Sequence, residues 1–193
     1  MDETGSAAAD SQTRPIVLLD TNTIQHALSK ASQPQISPFL DELTSEGNAV
    51  LSISDIVVFE SLKSIAFSPA KYAPVVNFID GNLTRYPISH DVLVGAAQLH
   101  EMYGKHDAVK GHANAISTEA LIIAVTSILT GGFVLTSDCN DFPGPFFDVV
   151  HKQVFYFNDG SRRKHIVKYL LRPDLDLIRE AFNDHDGAPA KKT

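Results

Sequence analysis

Four carboxylates in this sequence stand where apolar runs give way to polar ones. Asp20 follows Ile16-Val17-Leu18-Leu19, Glu60 lies in the segment after Ala49 to Ile53, Glu119 heads the run Ala120 to Leu129, and Asp138 comes just past Phe133-Val134-Leu135-Thr136. A short continuous apolar run reads as a strand covered on both faces, and ligand crevices of parallel sheets open at the carboxyl ends of such strands. If that topology gathers the acids, charge governs what they do. Two carboxylates about 4 Å apart repel by roughly 4 kcal/mol at an effective dielectric of 20, so a cluster of them holds either protons or a cation. All-oxygen ligation, with little nitrogen or sulfur, suits Mg²⁺ or Mn²⁺. The chemistry that such a site supports best is phosphodiester hydrolysis, with a metal-activated water as nucleophile and stabilisation of the leaving oxygen. Two of the acids also have plain structural uses: Glu119 complements the dipole of the helix it opens, and Glu60 can pair with Lys63 three residues on.

The elements that must position these acids follow from pattern and punctuation. Ile24 to Lys30 reads as a short helix, and Ser37-Pro38 starts the next, with Phe39, Leu40 and Leu43 as its apolar stripe and Gly47 as its end. Ala49 to Ile53 is a second strand, and Ser54 caps the helix that carries Glu60 and stops before Pro69. A helix over Pro74 to Asp80, a strand over Leu83 to Ile88, and a helix over Val92 to Tyr103 come next, followed by a polar loop from Lys105 to Ala115. Ser117 or Thr118 caps the apolar helix of residues 120–129, Gly131-Gly132 ends it, and Phe133 to Thr136 is a strand. The spacing then predicts a last strand over Gln153 to Phe157, a turn at Asn158-Asp159-Gly160, and two short helices at Lys164 to Leu171 and Pro173 to Phe182. Strands alternating with helices imply an α/β domain with a mainly parallel central sheet and helices on both faces.

A chain of 193 residues, 44% hydrophobic and 20% charged, holds one ordinary globular domain. Residues 1–13, rich in Ala, Ser, Asp and Thr without periodicity, are expected to be a disordered leader. The net charge of -7 argues against coating nucleic acid by bulk electrostatics and leaves room only for a local basic strip. Cys139 is the only cysteine, which rules out an internal disulfide and points to the cytoplasm. Met1-Asp2-Glu3 is acidic where a signal peptide is basic, and the window Ala120 to Thr136 is broken by Thr126, Ser127, Thr130 and the two glycines, so neither export nor a membrane span is expected.

The run Leu18-Leu19-Asp20-Thr21-Asn22, then Val57-Val58-Phe59-Glu60-Ser61, then Thr118-Glu119-Ala120-Leu121, then Leu135-Thr136-Ser137-Asp138-Cys139-Asn140-Asp141-Phe142 resembles the motif series of PIN-domain ribonucleases over roughly residues 14–157. The resemblance implies a three-layer α/β/α PIN-like fold and endonucleolytic cleavage of RNA with Mg²⁺ or Mn²⁺. It assigns catalysis and metal binding to Asp20, Glu60, Glu119 and Asp138, with Asp141 as an additional acid and Asn22 and Thr136 orienting ligands or water. That family includes the toxins of bacterial toxin–antitoxin pairs, so a small antitoxin is a candidate partner and a homodimer a candidate assembly. Its third acid is usually Asp; Glu119 is one methylene longer and reaches a metal through a shifted helix or a water. The segment 158–193 falls outside the resemblance and is expected to be a C-terminal helical extension with a polar tail.

Other conspicuous residues carry weaker signals. His100, His106 and His112 are spaced by six, which matches neither a helical face nor a zinc pattern; His112 alone is a candidate for touching substrate. Cys139 lacks an evident base and reads as a small packed residue. Arg162, Arg163, Lys164, Lys168 and Arg172, with Lys152 upstream, form the one concentrated basic region, either a solvated helix face or an RNA-binding, phosphate-contacting strip. Two other functions stay open: a catalytically weak PIN-like scaffold for RNA or protein, and a haloacid-dehalogenase-like phosphatase. The second fits an apolar strand ending in Asp-x-x-Thr but lacks the family's second Asp, where Asn22 stands.

Overall fold

The computed structural model describes residues 14–186, so the expected leader and the end of the polar tail lie outside the described residues. Ile16–Leu19 forms β1, and its apolar residues explain its place: Val17, Leu18 and Leu19 are buried, as suits a strand covered on both faces. Along the chain come α1 (Thr21–Leu28), α2 (Gln33–Ser45), β2 (Val50–Ser54), α3 (Asp55–Leu62), α4 (Pro69–Asn82), β3 (Thr84–Tyr86), α5 (His90–Lys105), α6 (Thr118–Thr130), β4 (Phe133–Thr136), β5 (Phe147–Asp159), β6 (Arg162–Pro173) and α7 (Leu175–Asp186). They build one six-stranded sheet in the order β3-β2-β1-β4-β6-β5, flanked by helices.

The first four of those strands are parallel, and β6 and β5 are antiparallel additions beside β4. The fold is therefore α/β with a mainly parallel sheet, as the alternation of elements predicts. The parallel register brings the ends of β1 and β4 side by side, Leu19 opposite Leu135, so Asp20 and Thr136 emerge at the same edge. Behind them α6 is buried almost all round from Ala120 to Ser127. It lies so close to α5 that a Cβ at Gly95 would stand 2.8 Å from Val125 Cγ1.

Helix starts differ from the sequence expectation for physical reasons. Asp20 accepts a hydrogen bond from the Thr21 N–H, so α1 begins directly after the strand and not at Ile24. Pro34 sits in the first turn of α2, where a missing N–H is harmless, and Pro38 falls inside the helix instead of opening it. Likewise α4 starts at Pro69, ahead of Pro74.

The larger correction concerns residues 158–173. The helix expected over Lys164 to Leu171 is a strand: β6 pairs with β5 from Asp159↔Arg162 to Phe147↔Pro173, and with β4 at Thr136↔Tyr169. Gly160, at φ 61, makes the tight reversal between them. Ile166, Val167 and Tyr169 are β-branched or aromatic and favour this state. The chain just beyond residue 157 is thus part of the sheet, with only α7 as a C-terminal helix.

Candidate functional site

The carboxyl edge of β1 and β4 opens into a depression of about 340 Å³ lined by Asp20, Thr21, Asn22, Gln25, Glu60, Ser117, Glu119, Asp138 and Asp141. Strand ends deliver Asp20 and Asp138, α3 delivers Glu60, the start of α6 delivers Glu119, and the 3₁₀ turn Cys139–Asp141 delivers Asp141. All four principal acids and the additional one therefore face the same space, and Asn22 joins them.

Asp20 is the most heavily tied. Its Oδ1 accepts from the Thr21 N–H at 2.6 Å, and its Oδ2 accepts from Thr136 Oγ1 at 2.7 Å and from Asn22 Nδ2. Burial raises its pKa, against the lowering influence of Thr136, the Thr21 N–H and the Lys168 charge. The Thr136 hydroxyl also accepts from the Asp138 N–H at 3.0 Å, which joins the two strand-end acids through one oxygen. Asp138 in turn caps its own turn, accepting from the Asn140 N–H at 3.0 Å.

Lys168 is the residue sequence reasoning misplaced. Expected in an exposed basic strip, it is 1% exposed, and its Nζ donates to Asn22 Oδ1 and Thr23 Oγ1, each at 2.9 Å. The strand conformation of β6 turns it inward, toward α1. The same Asn22 Oδ1 accepts from the Ser137 N–H at 2.9 Å, so two donors fix the amide with its Nδ2 aimed at Asp20 and Thr136. Burial pushes the Lys168 ammonium down to about 7, although the Asp20 charge opposes the shift. Ser117 caps α6 as its sequence position predicts, whereas no local signal marked Gln25 or the contact between Thr23 and Lys168, which come from the topology alone.

On the opposite flank, Glu60 pairs with Lys63, the plain structural use foreseen for it, and is still within hydrogen-bonding reach of Glu119. Glu119 is held below the usual carboxylate range, first by its own N–H and then by Glu60 and Ser117, with the Lys63 charge adding to them. Asp141 is pushed up to about 6 by burial and then by the charges of Asp138, Asp20 and Glu119. Burial first, and the neighbouring carboxylates after it, make this acid resist ionising.

The donor set, all oxygen and strongly acidic, fits a hard divalent cation in type. The ligands are not drawn into a ready cage, since among the described residues no three of His, Cys, Asp or Glu stand close enough to hold an ion. Both Asp20 oxygens accept hydrogen bonds from the chain, and Glu60 pairs with Lys63.

The other expected contacts fall elsewhere. His112 lines a second, adjoining groove of about 540 Å³, with Val109, Ile116, Cys139, Phe142 and Leu171; Asp141 belongs to both spaces. Arg162, Arg163 and Lys164 lie near the tip of the β5–β6 hairpin and do not line the acidic depression; Lys164 pairs with Asp159. His106 packs edge-on against Phe146, its ring centre 4.8 Å away. Among the described residues no helix is long and apolar enough to cross a membrane.

No family model and no curated protein matches this chain. Among solved structures, a chain in the crystal structure of VapBC2 from Rickettsia felis bound to a DNA fragment from their promoter is similar, with a TM-score of 0.51 at 20% identity, covering 66% of this chain and 90% of that one. A chain in the crystal structure of FitAcB from Neisseria gonorrhoeae gives 0.49 at 24% identity, over 65% of this chain and 90% of that one. The VapBC2 likeness is one of fold.

Proposed function

We propose that this protein is a metal-dependent endoribonuclease with a PIN-like fold that hydrolyses RNA phosphodiester bonds at the acidic depression. The observation that carries the reading is that Asp20, Glu60, Glu119, Asp138 and Asp141, widely separated in sequence, line one space at the carboxyl edge of the sheet. Asp20 and Asp138 would hold Mg²⁺ or Mn²⁺ with Glu119, Glu60 and Asp141 around them. Such an ion supplies a water acidic enough to attack phosphorus near neutral pH and a positive charge beside the leaving oxygen.

The chain's own residues do the positioning. Thr136 and Asn22 fix the orientation of the Asp20 carboxylate, and Lys168 fixes Asn22. Burial of the Asp20 and Lys168 side chains strengthens the charge interaction between them. Ser117 caps α6 through the Ala120 N–H at 3.1 Å and so sets where Glu119 begins. The fold shared with a chain of VapBC2 supports a place in a toxin–antitoxin pair, with a small antitoxin as protein partner.

Purified protein incubated with structured RNA and Mn²⁺ is expected to make internal cuts that vanish on chelation and in Asp20→Asn and Asp138→Asn variants with unchanged melting temperature. Cutting that ignores metal, or persists in both variants, would overturn the reading. A binding scaffold is the second reading, favoured by the Glu60–Lys63 pair and the open arrangement of the acids; RNA bound but never cut is its signature. Release of phosphate from small monoesters would point to the phosphatase instead.

A further inference from the structure

The β5–β6 hairpin carries two unlike faces. Successive strand residues point to opposite sides, and the unbroken register from His151↔Leu170 to the tip sorts them, a shift between Val149 and His151 then setting Val149 opposite Leu171. One side turns to α1 and α2: His151 and Phe155 pack on Phe39, Ile166 is buried, and Lys168 reaches Asn22. Asp159 and Lys164, paired with each other, belong to that side as well. The other side presents the cross-strand pairs Lys152↔Tyr169, Val154↔Val167, Tyr156↔His165 and Asn158↔Arg163.

On this outer side every charged group is basic. Lys152 Nζ lies 5.4 Å from the centre of the Tyr169 ring, and Arg163 Cζ lies 4.9 Å from that of Tyr156. The Tyr156 and His165 rings are 6.1 Å apart. Tyr156 is nevertheless 58% exposed and Lys152, Arg163 and His165 stand in solvent with it, while Tyr169 is partly buried against the core, on a chain whose net charge is -7. Isolated surface cations are ordinary, but two cation–ring pairs on one face, set on either side of Val154 and Val167, suit a surface that contacts phosphates while bases stack.

The face also leads somewhere. Leu171 shares the outer side with Tyr169, and Val149 pairs with it; both line the groove of about 540 Å³ that Asp141 joins to the acidic depression. From Leu171 to Arg163 the strand adds about 26 Å to that path, at about 3.3 Å per residue. We infer that the outer face of the β5–β6 hairpin, through Lys152, Tyr156, Arg163, His165 and Tyr169, binds single-stranded RNA and guides it along the adjoining groove to the acids. The inference rests on the nuclease reading for its destination and on the hairpin alone for its binding.

The test uses the full chain carrying Asp20→Asn, which keeps RNA intact, and fluorescence anisotropy of a labelled, unstructured 12-nucleotide RNA beside the same sequence as duplex. Single strand is expected to bind at least tenfold more tightly than duplex. Adding Tyr156→Ala should weaken single-strand binding about tenfold, while Tyr156→Phe, which keeps the ring, restores it. Adding Lys152→Ala with Arg163→Ala should lower the slope of log affinity against log salt by about 1.4, at roughly 0.7 for each phosphate no longer neutralised.

Because these side chains are exposed, melting temperatures should not move. Unchanged affinity in Tyr156→Ala, or equal binding of duplex, overturns the inference. It is also overturned if Tyr156→Ala alters only the sedimentation of the protein, which would make the face a contact between copies. Single-strand binding through this face in a protein that never cuts RNA upholds the inference and sinks the nuclease reading alone.

Discussion

The two flanks of the acidic depression are held by different means. On the sheet flank, Asp20 accepts from Thr21, Asn22 and Thr136, Thr136 also takes the Asp138 N–H, and buried Lys168 locks Asn22 from behind. On the helix flank, Glu60 and Glu119 stand on α3 and α6, with a half-exposed lysine, Lys63, paired to Glu60 and its charge acting on Glu119. Hydrogen bonds to a buried carboxylate determine its direction, whereas a solvated ion pair contributes little and shifts readily. The sheet flank is thus prepared in advance, and the helix flank can adjust. That is where a longer acid, Glu119, is tolerable.

The sharpest break of this contrast is Asp20→Asn, which is expected to lower metal-dependent RNA cleavage about a thousandfold, consistent with loss of a central electrostatic group. A comparable loss in Glu60→Gln would erase the distinction between the flanks. Next in size is the effect of metal itself. Mn²⁺ at about one hundred times its dissociation constant should stabilise the fold by about 2.7 kcal/mol in a thermal melt, and Asp138→Asn should abolish most of that gain.

Lys168→Met comes third. Cleavage and Mn²⁺ affinity should each fall about tenfold, as for other groups that orient a metal's ligands, while the melting temperature holds or rises because an ammonium no longer has to be buried. A drop in melting temperature along with activity would make Lys168 a support of the fold instead. Glu60→Gln is expected to cost only about threefold in cleavage, since Lys63 already draws that carboxylate aside.

The smallest effect is on pH dependence. Burial, with the Lys168 charge second, holds His26 down at about 4 from its ordinary 6.5. The unfolded chain therefore takes this proton first as pH falls, so the contribution is intact above about 6.5 and lost toward 4, by about 1 kcal/mol once solvent access to the ring is allowed for. His26→Gln should flatten the melting temperature across that window.

Much of the sheet flank was legible in the residues. Four apolar residues followed by Asp-Thr-Asn fix a strand end, and Leu135-Thr136-Ser137-Asp138 repeats the device, so parallel pairing alone brings Asp20 to Thr136. The hairpin was not legible in the same way. Ile166-Val167-Lys168-Tyr169-Leu170-Leu171 suits a helix or a strand by composition, and only pairing with β5 and β4 decides between them. That decision also sorts the basic residues: one conformation leaves all of them in solvent, while the other buries Lys168, turns Lys164 to Asp159, and sets Arg163 over Tyr156. Periodicity over so short a run carries less information than a neighbour distant in sequence.

The late position of β6 has a consequence for biosynthesis. Asn22 and Lys168 are separated by 146 residues, and Asp20 and Thr136 by 116, so the network behind Asp20 closes long loops of chain. Contacts of such span close after local ones, and a chain emerging from the ribosome has its first acid long before it has the strand that orients it. A nascent chain that has reached Asp138 but not Lys168 carries both strand-end acids without the lysine that holds Asn22. Vectorial synthesis thus delivers both strand-end acids before the lysine that positions Asn22.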